Sequence, residues 1–300
     1  MKTLSTNVVR AALSALLTVG FFVLIELGLG LMGEEWSSLY AGDPGYDWRV
    51  RPNLSLEAVP HLEEGRTFSV QTNDRGFRDA AIPTSGPWVL ALGCSTTFGW
   101  GVEQKEVWTE VLESKLGVPV VNAGIPGHSS QQGKGVAAEL LSLGPDAVIL
   151  GWGLRDGQHT VVPDAVRRPA TFPRNTRLFR LLAGMLANEQ KGDQPRVSEA
   201  QFRQNLREVA SLAASHDAQV LLLDMTERSD TPSHAQVLRS LQLPLLVPTL
   251  SDADHFSTDR IHLNVRGNQS LAEQLKPAIE RLLNPRAAAP PLEPAPGQTP

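Results

Sequence analysis

The sequence predicts an α/β chain built on a doubly wound parallel sheet of five strands. Two observations carry that prediction. Five short apolar runs, at 88–92, 118–121, 147–150, 219–223 and 243–247, read as continuous strands rather than as alternating ones. Amphipathic stretches near 104–116, 131–143, 198–214 and 232–241 separate them, and another near 265–283 follows the last. Apolar strands alternating with helices imply a parallel sheet covered on both faces. In such sheets, sites lie beyond the C-terminal ends of the strands.

The elements follow in order. Residues 1–33 form an N-terminal segment in which Lys2 and Arg10 precede an apolar run at 11–25, interrupted by Glu26 and resumed at 27–33. About 20 apolar residues span a bilayer, so 9–33 suffices as a transmembrane helix. The leading positive charge places the N-terminus in the cytoplasm and the remainder outside. A cleaved signal peptide is the alternative. No small-x-small site follows the run, so an uncleaved signal anchor is expected. Residues 34–87 read as an irregular lead-in packing on the core. Turn signals lie at Gly42-Asp43-Pro44-Gly45 and Arg51-Pro52-Asn53, aromatic residues at Trp36, Tyr46 and Trp48, a short strand at 67–71, and a turn at 72–76 with Gly76 suited to positive φ. Residues 88–284 hold the sheet, whose five units match a flavodoxin-like layout. An insertion at 152–197 follows the third strand and carries a helix near 174–188, expected to pack or to act as a lid. Residues 285–300, rich in Pro and Ala, read as a disordered tail.

Composition is that of a globular chain, 41% hydrophobic and 20% charged, with a net charge of -5. No long basic run marks a nucleic-acid surface. The single cysteine, Cys94, excludes an intrachain disulfide and a multi-cysteine zinc site. No helical His-x-x-x-His or carboxylate pair suggests a metal, and no cofactor is expected.

The residues of chemical interest sit just past strand ends. After the first strand the chain reads Gly93-Cys94-Ser95-Thr96-Thr97-Phe98-Gly99, a strand-to-helix turn that exposes a serine hydroxyl beside backbone N–H groups. After the second it reads Asn122-Ala123-Gly124-Ile125-Pro126-Gly127-His128, where Gly124 lets the backbone approach a ligand. After the third come Trp152-Gly153-Leu154-Arg155-Asp156, and after the fifth Asp259-Arg260-Ile261-His262-Leu263-Asn264. Asp-x-x-His in a loop can set a carboxylate beside an imidazole, fixing its tautomer. Taken singly, each element reads equally as an ordinary turn. Cys94 is an alternative nucleophile or a small core residue. Gly151-x-Gly153-x-x-x-Gly157 does not fit a dinucleotide loop. His128 and His159 line a pocket or decorate the surface. Asp224 reads as a loop residue, and Asp254 and His255 sit close to Asp259 with no pattern that supports a metal.

In combination these blocks resemble the SGNH (GDSL-type) hydrolase family over about residues 67–283. The matches are Gly93-x-Ser95-x-Thr97-x-Gly99, Asn122-Ala-Gly124, Gly153-x-x-Asp156 and Asp259-x-x-His262-x-Asn264-x-x-Gly267. Asn73-Asp-Arg-Gly76-Phe77-Arg78 is similar to the segment preceding the first block in a bacterial, membrane-anchored branch. The resemblance implies an SGNH hydrolase fold with Ser95 as nucleophile, His262 as general base and then acid, and Asp259 orienting His262. It implies an oxyanion hole from the N–H groups of Ser95 and Gly124, with Arg155 standing where the family carries a donor Asn. Cys94 replaces the family's usual Asp. His128, Trp152 and Asp156 are the remaining candidates for substrate contact. The expected activity is cleavage of an acyl or acetyl ester, in lipid, glycan or small-molecule form, through an acyl-enzyme. The expected place is a bacterial inner membrane, single-pass, with the catalytic domain periplasmic. The alternatives are an O-acyltransferase acting on cell-envelope glycan and a non-catalytic binding module.

Overall fold

The structure, a computed structural model, describes residues 6–31, 39–43, 45, 47–61, 63, 65–166, 176–178 and 192–284. The C-terminal stretch 285–300 and most of the expected helix at 174–188 lie outside the described residues, as do Trp36 and Tyr46.

Five strands pair in parallel: β5 (Val89–Gly93), β6 (Val120–Gly124), β7 (Ala147–Gly151), β10 (Gln219–Leu223) and β11 (Leu245–Leu246). Their spatial order is β11-β10-β7-β5-β6, the doubly wound order expected. β5, β6 and β7 are buried along their whole length, as strands covered on both faces must be. Alternate residues feed two cores. Leu90, Leu92, Val121, Val148 and Leu150 meet Val136, Leu140, Phe202 and Leu206 from helices α4 (Ser130–Leu141) and α5 (Glu199–Ser215). Val89, Ala91, Val120, Ile149 and Leu221 meet Trp108, Leu112, Leu271, Leu275 and Ile279 from α3 (Trp108–Leu116) and α7 (Val265–Leu283). A short α6 (Ser233–Ser240) precedes β11, which is only two residues long against the five expected.

The lead-in departs from expectation. It forms two antiparallel ribbons, β1 (Tyr40–Asp43) with β2 (Asp47–Val50) and β3 (Ser55–Pro60) with β4 (Thr67–Gln71). Only β4 showed alternation in sequence; the four-residue β1 and β2 are too short to show it, and a register shift between Leu56 and Val59 breaks the period in β3. Leu39, Val50, Phe68, Val70 and Phe77 from this segment join the first core.

Helix α1 (Thr6–Leu31) contains 24 residues, Asn7–Gly30, long and apolar enough to cross a membrane. Its one acid finds partners: the Glu26 carboxylate accepts the N–H groups of Arg177 (2.7 Å) and Leu178 (3.1 Å), where the chain turns helical within the insertion. Orphan N–H groups at a helix start are suited to a carboxylate. The neck of the insertion is closed by β8 (His159–Thr160) pairing with β9 (Gln194–Pro195).

Candidate active site

Three glycines set the platform. Gly93, Gly124 and Gly151 stand side by side in register where β5, β6 and β7 end. A Cβ on Gly93 would come within 2.1 Å of Thr97 Oγ1, and one on Gly124 within 2.3 Å of the Phe98 N. The missing side chains let the one-turn helix α2 (Ser95–Phe98) sit directly on the strand ends. Thr97 and Phe98 N–H groups bond the Cys94 carbonyl, and Gly99, at φ 77°, closes the turn. Ser95 therefore begins the turn, and among the described residues its own N–H has no hydrogen-bond acceptor.

His262 reaches Ser95 from the loop before α7. The Asp259 Oδ1 accepts the N–H groups of Ile261 and His262, each at 2.9 Å, folding the loop into an Asx-type turn. Arg260 takes a positive φ of 53° to allow it. Asn264 caps α7 through the Gly267 N–H and bonds the Ala253 and His255 carbonyls, tying the loop at its far end. The result is a continuous chain: Ser95 Oγ to His262 Nε2 at 2.8 Å, and His262 Nδ1 to Asp259 Oδ2 at 2.7 Å. Burial pushes the Asp259 carboxyl up, but the hydrogen bonds from His262 and the two backbone amides outweigh it and hold it at about 2. An ionised Asp259 fixes the proton on Nδ1 and leaves Nε2 to accept from the Ser95 hydroxyl.

The other expected residues fall differently. Cys94 is fully buried, its Sγ 3.3 Å from Thr96 Oγ1, and the imidazole is directed at Ser95 instead. The Gly124 N–H is engaged by Asn122 Oδ1 at 3.1 Å. Arg155 donates through Nη1 to Gln158 at 2.8 Å. Asp156 is wholly buried and accepts from Ser130 N, Ser130 Oγ and Gly153 N. It fastens the third turn to the start of α4 and has no surface to offer a substrate. Trp152 lies in the first core against Gly133, where a Cβ would come within 2.0 Å of its ring. His128 is buried, donates through Nε2 to the Trp48 carbonyl at 2.9 Å, and meets the Trp48 ring edge-on. These three are framework rather than pocket lining, because each side chain turns back into the core that carries its strand-end loop. His159 is exposed on β8; Asp254 bonds Ser251, His255 bonds the Ser251 carbonyl, and Asp224 bonds Thr226.

Sequence reasoning missed what the lead-in does. Arg78, fully buried, donates to the carbonyls of Phe98 (3.1 Å), Gly99, Val102 and Ser69 (each 2.7 Å). It thus clamps the chain leaving the serine turn. Burial lowers it to about 10. Asp79 accepts the Asn122 N–H on edge strand β6 and the Ala80 N–H. Gly76, at φ 83°, has room for no Cβ, which would meet the Val50 carbonyl at 2.1 Å. The one signal was the run Asn73 to Arg78, read as a likeness and not as a structural device. His61 gave no signal at all. It stands behind Asp259, Nε2 to Oδ2 at 3.7 Å.

The profile of the GDSL-like Lipase/Acylhydrolase family matches residues 91–270. Among solved structures, TesA is 22% identical, covering 65% of this chain and 99% of its own, with a TM-score of 0.45. The psychrotrophic esterase EstA from Pseudoalteromonas sp. is 18% identical, covering 66% and 100%, with a TM-score of 0.46. A putative lipolytic protein of the G-D-S-L family from Desulfitobacterium hafniense is 17% identical, covering 64% and 99%, with a TM-score of 0.44. No curated protein matches the chain.

Proposed function

This chain belongs to the GDSL-like lipase/acylhydrolase family, and from that premise we propose that it is a serine esterase acting through Ser95, His262 and Asp259. The observation that carries the reading is the unbroken hydrogen-bonded chain from Ser95 Oγ through His262 to an ionised Asp259. Ser95 Oγ attacks the ester carbonyl while its proton passes to His262 Nε2. Asp259, held by two amides, steadies the imidazolium. Collapse of the tetrahedral intermediate expels the alcohol, which takes the proton from Nε2, and leaves an acyl group on Ser95. Water, deprotonated by the same nitrogen, then releases the acid.

The developing oxyanion falls to the Ser95 N–H at the start of α2. Of the other two expected donors, Gly124 is engaged at rest by Asn122, while Arg155 spends Nη1 on Gln158 and keeps a buried Nε without a hydrogen-bond partner among the described residues. Gly124 joins the hole by exchanging Asn122 Oδ1 for the oxyanion. Loss of one donor typically lowers kcat about 10²–10³-fold. The intact Ser95–His262–Asp259 chain speaks against a binding module on a degenerate fold.

We propose further that α1 is an uncleaved anchor in a bacterial inner membrane, with Lys2 inside and the hydrolase domain in the periplasm. Its length, the leading basic residues and the satisfied Glu26 support this. Alkaline extraction and the mass of the mature chain test it; a soluble, shortened product would refute the anchor.

For the activity, the full chain in detergent is treated with a fluorophosphonate probe beside Ser95→Ala and His262→Ala. Labelling that vanishes in both variants is expected. Labelling that persists in Ser95→Ala would overturn the assignment. Acyl transfer to an added glycan acceptor, in place of free acid, would convert the reading to a transferase.

A further inference from the structure

His61 follows directly on β3, where its N–H bonds the Arg66 carbonyl and closes the β3–β4 ribbon. Its side chain is wholly enclosed. Phe256 packs against it, tilted by 49°, at a centroid distance of 4.3 Å. Gly101, at φ 92°, presses where the two rings meet; a Cβ there would lie 2.6 Å from Cδ2 and 2.7 Å from Nε2 of His61 and 2.8 Å from Phe256 Cε2. The ring is thus held in one orientation by a glycine that sequence alone gives no reason for.

That orientation decides the proton. The Glu63 backbone N–H donates to His61 Nδ1 at 3.0 Å. A nitrogen accepting a hydrogen bond carries no proton, so His61 is neutral and its hydrogen is on Nε2. Nε2 has no hydrogen-bond partner among the described residues. Its nearest charged neighbour is Asp259 Oδ2, at 3.7 Å. This is the same oxygen that accepts from His262 Nδ1. The charged and titratable groups around His61 are Asp259 and His262 from the catalytic loop and Glu63 and Arg66 from its own ribbon. Burial and the nearby His262 and Arg66 favour the neutral ring, while Asp259 and Glu63 oppose them.

We propose that His61 is a positioning residue for the serine hydrolase reaction, a neutral N–H donor that closes on Asp259 Oδ2 when His262 takes the Ser95 proton. It is not a catalytic residue, because Asp259 and His262 stand between it and the substrate. The 3.7 Å gap is longer than a hydrogen bond, and a shift of less than 1 Å makes one. An unpartnered buried N–H gains from closing it, and the carboxylate gains a further donor at the step that puts a positive charge on His262. A charged His61 would repel that imidazolium, which is why the Nδ1 contact with Glu63 matters: it holds the ring neutral. The inference rests on the triad reading above.

The test uses the full chain in detergent with a short-chain aryl ester. His61→Gln carries an amide N–H to about the position of Nε2. His61→Asn keeps a polar group but falls short of Asp259. His61→Phe fills the space with no donor. Hydrogen bonds to charged groups are worth about 1.5–3 kcal/mol, so kcat/KM falls about tenfold or more in Phe and Asn and stays within a few-fold of the parent in Gln. Because the donor is engaged when His262 carries its proton, losing it weakens the protonated state, so the acid limb of the kcat/KM profile moves to lower pH in Phe and Asn and stays in place in Gln. A packing role gives the reverse order, with Phe equal to or better than Gln and an unmoved acid limb; that result overturns the proposal. Should Phe fail to fold, the Asn and Gln pair decides, since both are polar and differ in reach. Ser95→Ala is measured alongside. If it retains activity, the triad reading falls and His61 with it. If it is inactive while Asn and Gln are alike in rate and pH profile, His61 alone is refuted.

Discussion

Replacing Arg78 by Met measures how far the lead-in holds the serine turn. The guanidinium makes four hydrogen bonds to main-chain carbonyls at 2.7–3.1 Å and is fully buried. Three of those carbonyls, Phe98, Gly99 and Val102, belong to the stretch that follows Ser95. Met fills much of the volume and satisfies none of them. A buried acceptor left without a donor costs about 1–3 kcal/mol. Four such costs do not sum, because the segment relaxes and water enters, so about 3–5 kcal/mol is expected, the range for breaking a buried charged network. Against a typical total of about 5–15 kcal/mol, this is a large share. Urea titration of the detergent-solubilised chain, followed by tryptophan fluorescence, gives the stability, and ester hydrolysis gives the site. Lys, whose one ammonium cannot fork across two carbonyl pairs, is expected to recover only part of both. A Met variant within about 1 kcal/mol of the parent, with its kcat unchanged, would refute the reasoning that Arg78 organises the turn.

Other changes separate framework from chemistry. Burial holds His128 at about 4, against 6.5 when unfolded; the fold excludes its proton, so stability present above pH 6.5 is lost as pH falls toward 4, by about 3 kcal/mol, and His128→Gln flattens that loss in acid titrations of stability. Asp79 has the opposite sign. Burial raises its carboxyl to about 7, so the fold retains a proton that the unfolded chain has lost. Stability falls as pH rises from about 4 to 7, on the order of 2 kcal/mol after allowing for partial exposure, and Asp79→Asn removes that slope. Arg155→Ala is expected to lower kcat/KM less than tenfold in steady-state assays, since Gln158 holds the Nη1 end of its guanidinium; a loss of about 10²–10³-fold would identify the unpartnered Nε side as an oxyanion donor after all.

The sheet was legible because its strands are buried on both faces and therefore read as unbroken apolar runs. The order of the blocks carried the site equally well, since each follows a strand whose end is fixed by a parallel neighbour. What the sequence did not disclose was orientation. Asp156, His128 and Trp152 lie in the right loops, yet each side chain turns inward, and polarity alone does not tell a core hydrogen bond from a substrate contact. Gly124 sits at a strand end as expected, but the choice of Asn122 Oδ1 as partner for its N–H is a matter of ångströms. The lead-in was hardest to read. Its strands are four to six residues long, one is interrupted by a register shift, and their partners are other short strands. His61 is functional only through a partner 198 positions away, Asp259, a pairing that no local pattern records.

The family profile begins at residue 91, thirteen positions after Arg78 and thirty after His61. A fragment excised at the profile's edges would keep the nucleophile and the imidazole. It would also carry an empty slot behind Asp259, bare carbonyls around the serine turn, and an uncovered edge strand where Asp79 had been. Such a fragment is a poor proxy for the enzyme, and a gene fusion or domain graft joined at residue 91 inherits the same three wounds. The heritable unit of this hydrolase therefore starts in the ribbons, and recombination that respects it must cut upstream of β1.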